Sequence, residues 1–390
     1  MRKKVCVITG TRADYGLLKP LIDRIENDND LQLQVIATGM HLSPEFGLTY
    51  EEIEKDNVKI DEKIETLLSS DTTIGVSKSM GLGVISFAEA YNRLQPDIIV
   101  ILGDRYEIFS AVTSAMISKI PVAHLHGGEA TYGLIDESIR HSITKMSYLH
   151  FTSTEEYKKR VIQLGETPNR VFNVGAIGLE NIKNMKLLSK KELEKSIRFE
   201  MKNPTVLVTF HPATLEEDSS EVQFENLLSC LDEFINTKII FTKANADTHG
   251  RVINKMIDDY VKKNSNKSIV FTSLGQLRYL SAIKYVDAVI GNSSSGIIEV
   301  PAFKTPTVNI GDRQRGRIRC KSIIDCKPTK DEIKKAITKA LSDDFKNTIN
   351  DIVNPYGDGN VSQQIVEEIK KFLLNDLIDI KKEFYDIRMD

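Results

Sequence analysis

The sequence predicts an α/β protein with two doubly wound parallel sheets, and three observations support this fold class. Short runs rich in Val and Ile alternate along the chain with longer amphipathic stretches. The runs are almost continuously apolar, which is typical of parallel strands buried on both faces. The alternation is interrupted once, by a charge-rich helical segment between residues 178 and 202. Repeated strand–helix units with one such break indicate two domains in tandem.

The elements can be assigned in order along the chain. The first domain, residues 1–177, has a predicted helix at 15–25, another at 74–94, and strands at 5–9, 33–38, 97–102, 122–125, 150–152 and 171–174. The second, residues 178–360, has a helix at 333–341 and strands at 205–210, 238–242, 268–272, 287–290 and 307–310. The tail, residues 361–390, begins with an amphipathic helix at 361–374.

Composition excludes several classes of function. The 52 basic and 55 acidic residues give a net charge of −3, which argues against a basic nucleic-acid-binding face. No apolar run reaches the roughly 18 residues of a membrane span. The four cysteines are far apart and none forms a CxxC pair, so a disulfide framework or zinc site is disfavoured. We expect no nucleic-acid partner, no membrane segment, no metal and a cytoplasmic location.

Ligands of open α/β sheets bind beyond the carboxyl ends of the strands, so residues directly after each strand are the candidates. The first such loop carries Arg12 but has neither a GxGxxG nor a Walker A pattern, which disfavours a nicotinamide cofactor. His41 follows the second strand, and Asp104 and Arg105 follow the strand at 97–102. Simpler interpretations also fit. Arg12 can be a surface arginine, His41 can be a structural histidine, and Asp104 can cap a helix.

The densest cluster of titratable residues follows the strand at 122–125. It contains His126, Glu129, Asp136 and Glu137, with two glycines that let the backbone turn sharply. Such crowding lets groups shift one another's pKa, as general acid–base catalysis requires. A metal site, with His124 and His126 as its histidines, is the rival hypothesis for this cluster.

The second half of the chain offers groups suited to an anion. His211 ends the strand at 205–210, and Asn245 follows the strand at 238–242. Glycine and serine residues stand between the strand at 287–290 and a helix predicted at 297–303, where free N–H groups and hydroxyls favour phosphate. The candidate ligand-binding residues of this region are Ser293, Ser294, Gly296, Glu299 and, after the last strand, Arg313.

These segments, taken in order, resemble the UDP-N-acetylglucosamine 2-epimerases over nearly the whole chain. The similarity is greatest to the hydrolysing branch that makes N-acetylmannosamine for bacterial sialic acid synthesis. The segments that carry it are residues 9–15 (TGTRADY), 39–41 (GMH), 103–105 (GDR), 127–129 (GGE), 139–141 (IRH), 210–212 (FHP), 291–294 (GNSS) and 311–314 (GDRQ).

The resemblance implies the GT-B fold, with two Rossmann-like domains, an active site in the interdomain cleft and a last helix that returns to the first domain. It also implies a UDP-sugar substrate, no cofactor and a homo-oligomer, either a dimer or a tetramer. The family reaction removes the C2 proton and UDP to leave 2-acetamidoglucal, and water then adds to give the free sugar with C2 inverted.

The resemblance also implies roles for individual residues. Asp104 is an acid–base candidate, His211 lies near the diphosphate, and Asp136 and Glu137 assist hydration. The residues implied to bind substrate are Arg12, Ser293 and Ser294 for UDP, Glu299 for the ribose, Arg313 for the diphosphate or sugar, and His41 and Arg105 for the sugar. Many relatives have a catalytic Glu where this chain has His126, so either His126 or Glu129 takes that role.

The sequence leaves four functions open. The first is hydrolysis and 2-epimerisation of UDP-N-acetylglucosamine. The second is the same reaction on UDP-N,N'-diacetylbacillosamine, which feeds legionaminic acid synthesis. The others are a GT-B glycosyltransferase, against which the acidic cluster weighs, and a UDP-sugar sensor without catalysis.

Overall fold

A computed structural model describes residues 2–68, 70, 72–132, 135–202, 204–212, 220–244 and 250–387. The chain forms two compact units. Unit 1 comprises Met1–Glu129, Asp136–Lys183 and Tyr356–Asp390, and unit 2 comprises Ala130–Ile135 and Asn184–Pro355. The domain boundaries expected at residues 177 and 360 lie a few residues from the limits of these units.

Unit 1 is built on a parallel sheet of seven strands, in the order β3-β2-β1-β4-β5-β6-β7. The strands are β1 (Lys3–Thr9), β2 (Leu31–Thr38), β3 (Glu62–Ile64), β4 (Ile98–Leu102), β5 (Val122–Leu125), β6 (Leu149–Thr152) and β7 (Val171–Asn173). The helices that lie between these strands or directly after the last one are α1 (Arg12–Glu26), α2 (Tyr50–Lys55), α3 (Thr73–Leu94), α4 (Tyr106–Ile117), α5 (Asp136–Met146), α6 (Glu155–Gln163) and α7 (Gly178–Asn184). Two apolar clusters of unit 1 contain alternate residues of β1 and β4, so the sheet is buried on both faces.

Unit 2 contains a second parallel sheet, in the order β10-β9-β8-β11-β12-β13. Its strands are β8 (Thr205–Thr209), β9 (Lys238–Thr242), β10 (Ser268–Phe271), β11 (Ala288–Gly291), β12 (Thr307–Ile310) and β13 (Ile323–Cys326). Its helices are α8 (Lys190–Ile197), α9 (Ser220–Leu231), α10 (Gly250–Lys263), α11 (Gly275–Tyr285), α12 (Ser294–Ile298), α13 (Lys330–Leu341) and α14 (Asp343–Thr348). The predicted fold class is therefore confirmed.

The prediction of a helix at residues 297–303 is wrong in its bounds. Helix α12 occupies Ser294–Ile298, and a separate 3-10 turn covers Val300–Phe303. Pro301 explains the break, because proline has no N–H and its ring clashes with the preceding helical turn. Glu299 consequently lies at the junction of the two segments rather than within one continuous helix.

The last helix, α15 (Val361–Leu374), belongs to unit 1 and packs against α1. The buried carboxylate of Glu180 accepts hydrogen bonds from the N–H groups of Val361 and Ser362 and from the Ser362 hydroxyl. These bonds satisfy backbone donors that a helix N-terminus otherwise leaves unpaired. None of the helices in the described ranges is long and apolar enough to cross a membrane.

Candidate active site

Each sheet reverses its strand order at one position. In unit 1, β1 lies between β2 and β4, and in unit 2, β8 lies between β9 and β11. Ligands of open α/β sheets bind outside the carboxyl ends of the strands at such switch points. The loops after β1 and β4 carry Arg12, Asp104 and Arg105, and those after β8 and β11 carry His211 and Ser293.

A buried arginine of α5 holds the carboxylate of Asp104. Arg140 is 1% exposed, and its Nη2 forms an ion pair with Asp104 Oδ2. Its Nη1 donates to Glu137 Oε2 at 2.8 Å and to the carbonyl oxygen of Glu129 at 3.0 Å. Burial alone would lower the pKa of the guanidinium, but the charges of Asp104, Glu129 and Glu137 outweigh it and raise the pKa above its usual range. Arg140 therefore stays charged and fixes Asp104.

This ion pair argues against the helix-capping interpretation of Asp104 that the sequence left open. Helix α4 begins at Tyr106 with Arg105 as its N-cap, and no described side chain caps it. The carboxylate of Asp104 is thus committed to Arg140 and not to the helix terminus. Arg140 itself was not among the predicted site residues, although the IRH segment contains it.

The two acidic residues predicted to assist hydration both lie in the first turn of α5. An acidic residue at this position is also favoured by the helix dipole. Glu137 has specific partners, because its second oxygen, Oε1, lies 3.1 Å from His141 Nε2 while Oε2 binds Arg140. Asp136 is half-buried at the start of the helix. Glu137 is therefore oriented by Arg140 and His141.

His126 and Glu129 form a bonded pair. His126 Nδ1 lies 3.0 Å from Glu129 Oε1, and the backbone N–H of Ile177 donates to His126 Nε2 at 3.3 Å. Since Nε2 accepts, the proton of the neutral ring belongs on Nδ1, which donates to Glu129. Glu129 is buried and also accepts a hydrogen bond from Ser153 Oγ at 3.1 Å. His126 thus orients the Glu129 carboxylate, with its own backbone in the left-handed region at a φ of 67°.

Two other histidines of unit 1 are buried and neutral. The ring of His41 lies between the hydroxyls of Thr9 and Thr49, at 2.9 and 2.8 Å, and burial lowers its pKa to about 4. His124 Nε2 bonds the carbonyl oxygen of Gly103 at 2.9 Å, and burial lowers its pKa to about 3. Both rings support the loops that carry site residues, and this placement favours a structural role for His41.

The two arginines expected to contact substrate from unit 1 each pair with a glutamate. Arg12 Nε lies 2.7 Å from Glu52 Oε2, and Arg105 Nε donates to Glu107 Oε1 at 2.7 Å. Glu107 was not predicted as a site residue, yet it is only 2% exposed. The signal for it was an acidic residue two positions after Arg105, directly beyond a strand end.

In unit 2, Asn292 joins three loops through its side chain and its backbone carbonyl oxygen. Its Oδ1 accepts from the His211 N–H at 2.7 Å, and its Nδ2 donates to the His211 carbonyl oxygen at 2.8 Å. Its own carbonyl oxygen accepts from Arg313 Nη1 at 3.1 Å and from Gln314 Nε2 at 2.9 Å. Asn292 thereby brings His211 and Arg313 together, a role that its place in a glycine–serine loop did not reveal.

The preceding residue must be glycine. Gly291 has a φ of 138°, and a Cβ there would lie 1.9 Å from the carbonyl oxygen of Thr209. The next residues turn into α12, where Ser293 is the N-cap and Ser294 the first helical residue. Gly296 packs closely on β12, since a Cβ would lie 3.0 Å from Thr307 Cγ2. Gly296 thus allows helix α12 to pack closely on the sheet.

The other predicted residues of unit 2 are placed as follows. Glu299 is half-buried. Burial of Tyr279 is the main cause that raises its pKa above the usual range, and the negative charge of Glu299 raises that pKa further. Of the arginines after β12, Arg313 reaches the Asn292 backbone while Arg315 is exposed. Asn245 lies outside the described residues.

Two doubly wound parallel-sheet units, each with polar loops at its switch point, place the chain in the class of GT-B-like folds. The chain belongs to the family described as UDP-N-acetylglucosamine 2-epimerase, whose sequence profile matches residues 23–370.

Individual relatives agree with this family. The chain is 50% identical over 345 residues to "GDP/UDP-N,N'-diacetylbacillosamine 2-epimerase (hydrolyzing)" of Campylobacter jejuni subsp. jejuni serotype O:2, covering 88% of this chain and 89% of that protein. It is 41% identical over 386 residues to "Polysialic acid biosynthesis protein P7" of Escherichia coli, covering 99% and 98%. The UDP-GlcNAc 2-epimerase of Neisseria meningitidis, solved with UDP-GlcNAc, matches with a TM-score of 0.79 at 19% identity, covering 94% of this chain and 100% of the other. At that identity the match supports the fold alone.

Proposed function

We propose that this protein is a hydrolysing 2-epimerase of a nucleoside-diphosphate-linked 2-acetamido sugar. In the first step a base removes the C2 proton while the C1–O bond breaks, which releases the nucleoside diphosphate and leaves a 1,2-unsaturated sugar. In the second step water adds its oxygen to C1 and gives one proton to a base, while an acid returns a proton to C2 from the opposite face. The product is the free 2-epimer.

The observation that carries the proposal is the presence in unit 1 of two separately oriented carboxylates. Asp104 is held by Arg140, and Glu129 is held by His126. Inversion at C2 needs proton transfer on both faces of one carbon, so two acid–base groups with separate supports suit the reaction. We assign these transfers to Asp104 and Glu129, with Glu137 and Asp136 at the hydration step.

We assign the nucleotide to the loops of unit 2. His211 and Arg313, joined through Asn292, stabilise negative charge on the departing diphosphate. The hydroxyls of Ser293 and Ser294 bind phosphate oxygens. Glu299 accepts hydrogen bonds from the ribose.

Between the two sugars that the sequence left open, we favour the N,N'-diacetylbacillosamine nucleotide. The support is the relative at 50% identity whose name specifies that substrate with GDP or UDP. This reverses the order that the sequence favoured. UDP-N-acetylglucosamine remains the second candidate, because the family description itself names that substrate.

The test is a direct comparison of substrates. GDP- and UDP-N,N'-diacetylbacillosamine and UDP-N-acetylglucosamine are supplied separately, and release of the nucleoside diphosphate is measured with the appearance of the free sugar. We expect kcat/KM to be at least about tenfold higher for a diacetylbacillosamine nucleotide, the scale of a pocket that discriminates by one polar substituent. A higher value for UDP-N-acetylglucosamine would overturn the choice of sugar, and no turnover of any of the three would overturn the proposed reaction.

The variant Asp104→Asn tests the assignment of Asp104 to proton transfer. It keeps the size of the side chain and removes its basicity, so turnover should fall at least about a hundredfold, the usual scale for an acid–base residue. Binding of UDP should persist, since the nucleotide is assigned to unit 2.

We further propose a cytoplasmic location and a homo-oligomer. All four cysteines are unpaired, which suits a reducing compartment. Helix α3 exposes Ile74, Leu82 and Ile85 on one face, and Met116 and Ile117 are exposed at the end of α4, which packs against α3. We assign these exposed apolar side chains to the contact between copies of the chain.

A further inference from the structure

The carboxylate of Glu129 has a second side-chain donor besides His126. Ser153 Oγ donates to Glu129 Oε1 at 3.1 Å, and His126 Nδ1 lies 3.0 Å from the same oxygen. Ser153 is 1% exposed and Glu129 is 2% exposed, so water has little access to this contact. A hydrogen bond to an ionised acceptor is stronger than one between neutral groups. Ser153 and His126 therefore fix the carboxylate through one oxygen atom.

A short turn between β6 and α6 presents the Ser153 hydroxyl. Ser153 directly follows β6, and the next residue, Thr154, is the N-cap of α6. The Thr154 side chain accepts a hydrogen bond from the N–H of Tyr157 at 3.2 Å, which fixes the start of the helix. A strand on one side and a capped helix on the other thus set the position of Ser153.

Helix α6 also contacts the residue that precedes Glu129. Gly128 has a φ of 77°, and a Cβ there would lie 2.4 Å from the carbonyl oxygen of Tyr157. Arg160 Nη1 donates to the carbonyl oxygen of Gly128 at 2.5 Å. The backbone that leads into Glu129 is therefore held against α6, and the serine just before that helix binds the side chain.

The partner of Ser153 differs from the partners of two other buried serines in unit 1. The hydroxyl of Ser147 donates to the carbonyl oxygen of Ile143 at 2.8 Å, and that of Ser114 donates to the carbonyl oxygen of Val84 at 2.7 Å. Such bonds satisfy a buried hydroxyl without involving an ionisable group. Ser153 instead donates to a group that the proposed reaction requires to gain and lose a proton.

We propose that Ser153 is a positioning residue for the proposed reaction, because its hydroxyl orients the Glu129 carboxylate and favours its ionised form. This inference rests on the proposed function, which assigns a proton transfer at C2 to Glu129. A hydrogen bond to the ionised form of a carboxyl group lowers its pKa, so loss of the Ser153 hydroxyl acts on the proton transfer itself.

The titratable and charged groups that face Glu129 come from three elements of unit 1. They are His126 after β5, Arg140 of α5, which binds the Glu129 carbonyl oxygen, and Arg160 of α6, which binds the carbonyl oxygen of Gly128. All three remain when Ser153 is replaced by alanine. The substitution therefore removes one donor and leaves every charge in place.

The test is the pH dependence of turnover for Ser153→Ala. Values of kcat and kcat/KM are measured with UDP-N,N'-diacetylbacillosamine and, in parallel, with UDP-N-acetylglucosamine, from about pH 5 to about pH 9. We expect one limb of the profile to move to higher pH by about one unit, the scale of one hydrogen bond to an ionised group. The acidic limb moves if Glu129 removes the C2 proton, and the alkaline limb moves if Glu129 returns one.

Ser147→Ala is the matched control. It also removes a buried hydroxyl from unit 1, but that hydroxyl donates to a backbone carbonyl oxygen. Both limbs should stay where the wild-type enzyme has them. If both limbs of Ser153→Ala also stay in place, whether or not its rate falls, the inference is overturned while the proposed function stands. No turnover of either sugar by the wild-type enzyme would overturn the proposed function itself.

A second variant covers the case in which Ser153→Ala does not fold or is too slow for a profile. Ser153→Cys keeps a side chain of similar shape, but its thiol is a weak donor. We expect the same limb to move in the same direction by a smaller amount. A Ser153→Cys enzyme with both limbs at their wild-type positions would contradict the inference.

Discussion

Replacing Arg140 with Met removes the cation that holds the acid–base cluster of unit 1. Arg140 is 1% exposed, and the side chains of its partners Asp104 and Glu137 are 19% and 21% exposed. Removing one partner of a buried ion pair costs roughly 3–5 kcal/mol, because the remaining charge stays desolvated. Since both carboxylates keep some contact with solvent, we expect the low end, about 3 kcal/mol.

Hydrogen exchange of peptides from β4 and α5 measures this cost in unit 1 alone. A loss of about 3 kcal/mol corresponds to a local opening constant raised roughly a hundredfold. The control is Arg93→Met, which removes an exposed arginine bound to Glu62 on the surface of the same unit. Exposed ion pairs contribute little. Equal effects of the two substitutions would refute the reasoning.

A double-mutant cycle isolates the contact with Asp104. If the ion pair matters, Asp104→Asn combined with Arg140→Met should cost less than the sum of the single substitutions, because the double variant leaves no unpaired charge at Asp104. Additive costs would mean that Arg140 stabilises unit 1 through its hydrogen bonds to Glu137 and Glu129 rather than through Asp104.

Three further predictions concern other parts of the chain. Gly291→Ala should lower the unfolding temperature of unit 2 and weaken UDP binding, because its Cβ would collide with the carbonyl oxygen of Thr209. Glu166→Gln should lower the unfolding temperature at pH 7. Burial alone would raise the pKa of Glu166, but hydrogen bonds from His150 and two lysines lower it to about 2, so its stabilisation is present above pH 4.5 and lost as pH falls towards 2. Ile85→Lys should convert the expected oligomer to monomers in sedimentation analysis.

Each of these predictions has a result that contradicts it. Gly81→Ala is the control for Gly291→Ala, because a Cβ there meets open space in α3; equal losses would show that glycine content alone matters. For Glu166→Gln, an unfolding temperature equal to that of the wild type at pH 7 would rule out the stabilising ionised form. A monomeric wild-type protein would remove the basis for the Ile85 prediction.

Most of the fold could be predicted because buried parallel strands have continuous apolar sequences. Strands β5, β9 and β12 coincide with the predicted segments, and α15 does so at both ends. Strands β3 and β13 were not predicted. They pair on one side only, at the edges of their sheets, so their sequences, EKI and IIDC, carry polar residues and no long apolar signal.

The candidate site was predictable only in part. The rule that ligands bind beyond strand ends located the loops of Asp104, His126 and His211. It could not identify residues that act through a partner from another element. Arg140 lies on a helix and Asn292 is one amide in a turn, and only the folded chain shows that each joins several loops.

The central claim is that C2 is deprotonated and then reprotonated from the other face as the nucleotide leaves. Proton NMR of the enzyme in D₂O with UDP-N,N'-diacetylbacillosamine, and separately with UDP-N-acetylglucosamine, tests it most directly. We expect a free sugar inverted at C2 and deuterated there, together with one equivalent of UDP. A product that keeps its C2 proton, or that keeps its original configuration, would contradict the account.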